Sequence, residues 1–115
     1  MAKVRITSEN FEMTATLNDS ATTAKVLEAL PIESSARLWG KEVYFEVPFH
    51  ADEEDAQADV PPGTVAFWPA GDCLCLFYGQ RPASPVNVVG TLDGDPNELA
   101  KIPTGAKVRV EAIED

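Results

Sequence analysis

Positive charge is scarce in this chain: nine lysines and arginines stand against nineteen aspartates and glutamates, a formal net charge of -10. Phosphate backbones and anionic lipid surfaces would be repelled, so neither nucleic acid nor a membrane surface is expected as a partner. Histidine occurs once, at His50, and cysteine twice, at Cys73 and Cys75. No second cysteine pair exists to complete a structural zinc site, and neither a metal nor another cofactor is expected. The C-x-C spacing points both thiols to one face of a strand, where a disulfide would be strained, and packing as small hydrophobes is their expected role. Long apolar runs are missing too. The longest, 73–78, is far below the roughly 20 residues that cross a bilayer, and the first residues alternate polar with apolar instead of forming a signal-peptide run. The expected compartment is the cytoplasm. The seven glycines stand singly, so no glycine-rich loop leads into a helix to cradle a phosphate. His50 has no G-x-S-x-G companion for nucleophilic catalysis.

What is present argues for one folded domain over 1–115. The chain is 44% apolar and 8% aromatic, enough for a single core and too rich in core formers for an acidic disordered tail. Period-two alternation recurs at 3–7, 11–17, 36–39, 42–47, 64–68, 73–78, 87–92 and 107–113, which predicts eight strands. In the fourth, Val43, Phe45 and Val47 share one face while Glu42, Tyr44 and Glu46 share the other. Two helices are predicted. The first covers 20–30, with Ser20 as N-cap, Pro31 as stop and Ala24, Leu27 and Leu30 as its apolar stripe. The second is a short turn or helix over 96–102, capped by Asp95 with Pro96 in its first turn. Parallel strands would need a crossover helix between most neighbours, so a mainly β, closed and mostly antiparallel barrel is expected.

Three loops carry the remaining signals. The stretch 49–63 holds five carboxylates, Asp52, Glu53, Glu54, Asp55 and Asp59, with no internal glycine of the calcium-loop kind. It reads as a solvated acidic loop, and His50 at its start as a surface histidine among acids. The stretch 79–85, stiffened by Pro82 and Pro85, carries Arg81 and either walls a cleft or simply connects. Asp93-Gly94-Asp95-Pro96 is turn chemistry. Glu42 and Glu46 lie about 13 Å apart along one strand face, too far for a glycosidase pair, and rim or structural roles are expected of both.

The aromatic set is the more informative constellation. Trp39, Tyr44, Phe45, Phe67, Trp68, Phe77 and Tyr78 gather on four strand segments. A barrel this small is packed solid by inward side chains, and the set exceeds what those inward positions need. Outward-facing rings would line a groove, where their few rotamers favour binding.

These residues also resemble a family. Leu30-Pro31, Trp39-Gly40-x-Glu42-Val43-Tyr44-Phe45-x-Val47-Pro48, Gly63 through Trp68-Pro69-Ala70-Gly71, Cys75-Leu76-Phe77-Tyr78-Gly79 and Pro85-Val86-Asn87-Val88-Val89-Gly90 are together similar to the small prokaryotic cyclophilin-like proteins, grouped as a domain of unknown function. The resemblance implies a closed eight-stranded barrel with two short helices. Cyclophilins proper are peptidyl-prolyl isomerases, and aligning their strand-ending proline with Pro48 puts Phe45 in place of the catalytic arginine, or Glu46 after a one-residue slip. Neither side chain donates a hydrogen bond to a prolyl nitrogen. Trp68-Pro69 stands where cyclophilins have alanine-asparagine, and Cys75 where they have a glutamine donor, while Phe77 remains as a groove-floor residue.

The resemblance therefore implies a retained scaffold without the catalytic donors, and no catalytic residue is assigned. The expected function is a binding module for a peptide or small apolar ligand. Its candidate residues are Arg37, Tyr44, Phe45, Glu46, Trp68, Phe77 and Arg81, the two arginines being available to a carboxylate. Two alternatives stand beside it. One is an enzyme on the same barrel, such as a prolyl isomerase with Arg81 as a displaced donor. The other is a homodimer whose face is made of exposed aromatics.

Overall fold

The computed structural model describes residues 2–113. Nine strands, each antiparallel to its neighbours, form one sheet. In chain order they are β1 (Lys3–Ser8), β2 (Phe11–Leu17), β3 (Ile32–Ser35), β4 (Arg37–Leu38), β5 (Glu42–Glu46), β6 (Thr64–Trp68), β7 (Cys73–Phe77), β8 (Asn87–Leu92) and β9 (Lys107–Ile113). Helix α1 (Ala21–Ala29) joins β2 to β3, and a short 3-10 helix (Pro96–Lys101) precedes β9. The order across the sheet is β3-β9-β1-β2-β8-β6-β7-β5-β4.

The two outermost strands of that order, β3 and β4, are consecutive in the chain and separated only by Ala36. One bent segment thus pairs with β9 through its first half and with β5 through its second, and the sheet curls into a nearly closed barrel. The eight predicted strands become nine because β3 carries only Ile32 as a buried residue and is otherwise Glu-Ser-Ser, too weak an alternation to register. Ala36 itself belongs to the β9 side, its N–H donating to the Ala106 carbonyl and its carbonyl accepting from Gly105, both at 2.8 Å. Where β3 swings away from β5 the wall splays into an open depression edged by Pro31, Ile32, Glu33, Ser34, Glu46, Val47 and Pro48.

Inward positions of every long strand fill the barrel. Val4, Ile6, Leu17, Val43, Phe45, Phe67, Leu74, Leu76, Val89, Val108 and Val110 are all buried in one cluster. The residual void at its centre, lined among others by Phe45, Leu74 and Val89, amounts to about 10 Å³. That is the volume of about one water probe, so the interior holds no ligand. Strand β7 is buried on both faces, with Leu74 and Leu76 inside the barrel and Cys73, Cys75 and Phe77 in a second cluster with Ala66 and Val86. A strand covered on both sides has no reason to alternate, which explains its unbroken apolar run.

Helix α1 starts where predicted, with the Ser20 hydroxyl accepting from the Thr23 N–H. Its buried face is different from the predicted one. Thr22, Thr23 and Val26 point inward, whereas Ala24 is exposed and Leu27 is 38% exposed. The two threonines are buried because they serve a polar hub. Asn87, 1% exposed, donates to Thr22 Oγ1 (3.0 Å) and to the Asp52 carbonyl (2.9 Å) and accepts from the Glu54 N–H (2.9 Å). Glu54 in turn accepts from the Ala21 and Thr22 N–H groups and from the Thr22 hydroxyl, capping α1 from outside the helix. Its carboxyl is held below the ordinary range, first by the Thr22 hydroxyl and then by the backbone N–H groups of Thr22 and Ala21. The acidic stretch is therefore not uniformly solvated, because one of its five carboxylates is a structural cap.

Asn87→Ala should lower the unfolding free energy by about 3 kcal/mol, because it leaves buried partners on Thr22, Asp52 and Glu54 unsatisfied together. Denaturant titration checks this, and a loss under about 1 kcal/mol would mean the loop is held by other contacts. Glu54 contributes stability above its ordinary carboxyl pKa that is lost as pH falls through its lowered folded value. Glu54→Gln should therefore destabilise at neutral pH and converge with the parent protein in acid.

Candidate functional site

Phe77 and Val86 of the second cluster lie in the floor of an aromatic cavity on the outer wall. Alternation along β5 sends Glu42, Tyr44 and Glu46 to the outer surface of the barrel wall, and the register with β7 sets them opposite Phe77, Cys75 and Cys73. Strand β6 adds Trp68, opposite Cys73, from the other side. Two small sulfur side chains thus sit between larger rings, and Tyr44 and Trp68 meet edge to face with centroids 6.5 Å apart. Past the end of β4, Trp39 stands 45% exposed at the rim. Pro82, Ala83 and Val86 close the opposite side.

That closing segment is tied down at three points. The Trp68 indole N–H donates to Ser84 Oγ (2.6 Å), Val86 pairs with Gln57 through two backbone hydrogen bonds, and Arg81 pairs with Asp59 (3.3 Å). Gly71 is required beneath Trp68, because a Cβ there would overlap the indole ring. The resulting cavity, lined by Trp39, Glu42, Tyr44, Trp68, Phe77, Pro82, Ala83 and Val86, measures about 210 Å³. An apolar cavity of about 150 Å³ accepts benzene, whereas drug-sized ligands need about 300 Å³ or more. The space suits one ring-sized or branched group.

Of the seven predicted residues, the structure brings Tyr44, Trp68 and Phe77 together around this cavity. Phe45 lies elsewhere: it is fully buried inside the barrel, on the face of β5 opposite Tyr44. Its expected binding role is corrected, since alternation commits Phe45 to the core as soon as Tyr44 faces out. Arg37 and Glu46 pair with each other at 3.2 Å on the exposed surface, and Arg81 is engaged by Asp59. None of these three lines the cavity. The candidate list left out Trp39, although it stood in the aromatic set, and Glu42, which was given a rim or structural role; the stretch 79–85 that supplies Pro82 and Ala83 was expected either to wall a cleft or to connect, and Val86 was not singled out. The available signal was strand parity, which puts Glu42 on the same face as Tyr44.

Glu42 is 6% exposed, and among the described residues no cation forms an ion pair with it. Burial pushes its carboxyl pKa up, and a hydrogen bond from the Cys75 thiol opposes that only in part. The same burial, followed by the nearby Glu42 charge, lifts the Cys75 thiol well above its ordinary value, and Cys73 is pushed up to about 11. Both cysteines are therefore protonated, unreactive wall groups. His50 lies outside the cavity, its ring nitrogens 2.6 Å from Asp72 and 3.2 Å from Asp52, which raise its pKa in that order. Among the described residues no three His, Cys, Asp or Glu side chains converge as metal ligands, and no helix is long and apolar enough to cross a membrane.

A nearly closed antiparallel barrel with a solid interior and its cavity on the outer wall is a cyclophilin-like architecture. The cyclophilin-like family profile matches residues 2–111, and the chain belongs to that family. The solution structure of the hypothetical protein AF2241 from Archaeoglobus fulgidus is similar, with a TM-score of 0.82 and 33% identity over 97% of this chain and 95% of that one. McbB, solved in complex with tryptophan, shares the fold with a TM-score of 0.71 and 20% identity over 97% of this chain and 46% of McbB. No curated protein matches.

A buried carboxylate without a counter-charge works against folding once it ionises. Because the folded pKa of Glu42 is raised, its penalty is present above that value and disappears as pH falls below the ordinary carboxyl range. Glu42→Gln should raise the melting temperature by a few degrees at neutral pH and by nothing near pH 4, as measured by thermal unfolding across that range.

Proposed function

We propose that this protein is a binding module whose outer-wall cavity receives one ring-sized or branched group, either a small molecule or a single side chain of a peptide. The observation that carries the reading is the aromatic lining. Trp39, Tyr44, Trp68 and Phe77 surround a cavity of about 210 Å³, while the barrel core is filled without any of them. Monomeric proteins seldom keep such a lined recess without a use for it. The fold is also that of McbB, a protein solved with tryptophan, which makes this amino acid a natural first probe.

A prolyl isomerase is the less supported reading. Its chemistry asks for a donor over the cleft, and the ionisable side chains of this lining are Glu42 and Tyr44. The candidate replacement, Arg81, is drawn away by Asp59.

Titration with tryptophan, indole and short aromatic peptides, followed by intrinsic fluorescence, should give a saturable change for at least one probe. Trp39→Ala, a rim substitution that leaves the core intact, should weaken that binding roughly two- to tenfold, the worth of one aromatic contact. A flat response to every probe, together with proline isomerisation well above background in a coupled assay, would replace this reading with the enzyme.

A further inference from the structure

Among the described residues Glu42 has no charged partner, and the Cys75 thiol is its one side-chain hydrogen-bond donor described above. Its side chain caps no helix and forms no ion pair among the described residues, and its nearest cross-strand neighbour is Phe77. Yet it is more than nine-tenths buried and lines the cavity. A glutamine or an aliphatic residue would fill the same position with less cost, because an ionised carboxylate removed from water asks for a positive partner. Among the described residues the fold supplies none: Arg37 and Arg81 are held outside by Glu46 and Asp59, and the side chain of the adjacent Lys41 lies over Gly79 without an ion pair to Glu42.

The rest of the lining has the same preference. The faces of Trp, Tyr and Phe rings carry negative quadrupole potential, and a cation within about 6 Å of a ring centre is attracted, more strongly when it is desolvated. Trp39, Tyr44, Trp68 and Phe77 place such rings around one carboxylate. The chain's net charge of -10 adds a long-range field that draws cations and repels anions.

On the reading that this cavity binds a ligand, we infer that the ligand is a compact organic cation, an ammonium or methylated ammonium group, seated among Trp39, Tyr44, Trp68 and Phe77 with Glu42 as its counter-charge. The group belongs to a small amine or to one basic side chain of a peptide. A cation entering this space meets both the unpaired charge and the ring faces, whereas a neutral isostere meets only the rings. Carboxylate-bearing ligands gain nothing here, which reverses the expectation drawn from Arg37 and Arg81.

Matched probes separate the inference from the reading it rests on. Choline is compared with its uncharged carbon analogue 3,3-dimethylbutan-1-ol, and benzylammonium with benzyl alcohol, by calorimetry and tryptophan fluorescence at low salt on the full chain. At least one cation should bind tenfold or more tightly than its neutral partner. Glu42→Gln should abolish most of that preference while leaving the neutral partner within about twofold, and the variant's unchanged circular dichroism shows that the wall is intact. Equal binding of cation and neutral partner in both pairs would overturn the cation inference and leave the ligand cavity standing. No response to any of the four probes, nor to the aromatic probes above, would overturn the cavity as well.

Discussion

The constraint on which this structure turns is that the wall made by β5, β7 and β6 must be dry on both of its faces. Inside, the barrel does this with Val43, Phe45, Phe67, Leu74 and Leu76. Outside, loop segments have to do it, because β5 and β7 present Tyr44, Cys73, Cys75 and Phe77 to that side. Hydrophobic burial of a second face is favourable only if the covering segments stay in place, and fixing each loop residue costs conformational entropy that no strand ladder offsets. The polar contacts around the loops answer that requirement. Asn87 and Glu54 fasten the stretch after β5 to helix α1, and Ser84, Gln57 and Asp59 fasten the stretch after β7.

A cover of this kind is imperfect, and its imperfection is the cavity. Strands pack their side chains at fixed spacing, whereas the proline-bearing segment around Pro82 and Ala83 crosses the wall without filling every gap between rings. The gap is bordered by the groups that cross-strand pairing happens to set side by side. These are the rings of Tyr44 on β5, Phe77 on β7 and Trp68 on β6, and a carboxylate at the β5 start. The site is thus a product of barrel register on one side and loop tethering on the other.

Much of the barrel was legible from residue order because each long strand has one apolar face, and period two reveals it. β3 was not, since a single isoleucine followed by Glu-Ser-Ser carries its pairing. Helix α1 was found from Ser20 and Pro31, but its inward face was misread: threonine registers as polar, and only the tertiary partners Asn87 and Glu54 explain why Thr22 and Thr23 are buried. At the cavity, Tyr44, Trp68 and Phe77 were readable as an excess of aromatics. Phe45 was assigned to the groove through the resemblance to isomerases, against the alternation that sends it inward. Glu42 was passed over because its burial depends on a cover contributed by residues some forty positions later, information that no local pattern contains.

The bent segment through Ala36 has a consequence for solubility. With its first and last strands in one continuous stretch, the sheet has its interior strands paired on both sides, so strand addition by another copy has no starting point along most of the wall. The exception is the splayed region between β3 and β5. There Glu33 and Glu46, each tied to an arginine, flank the exposed backbone and serve as charged gatekeepers against fibril-like pairing.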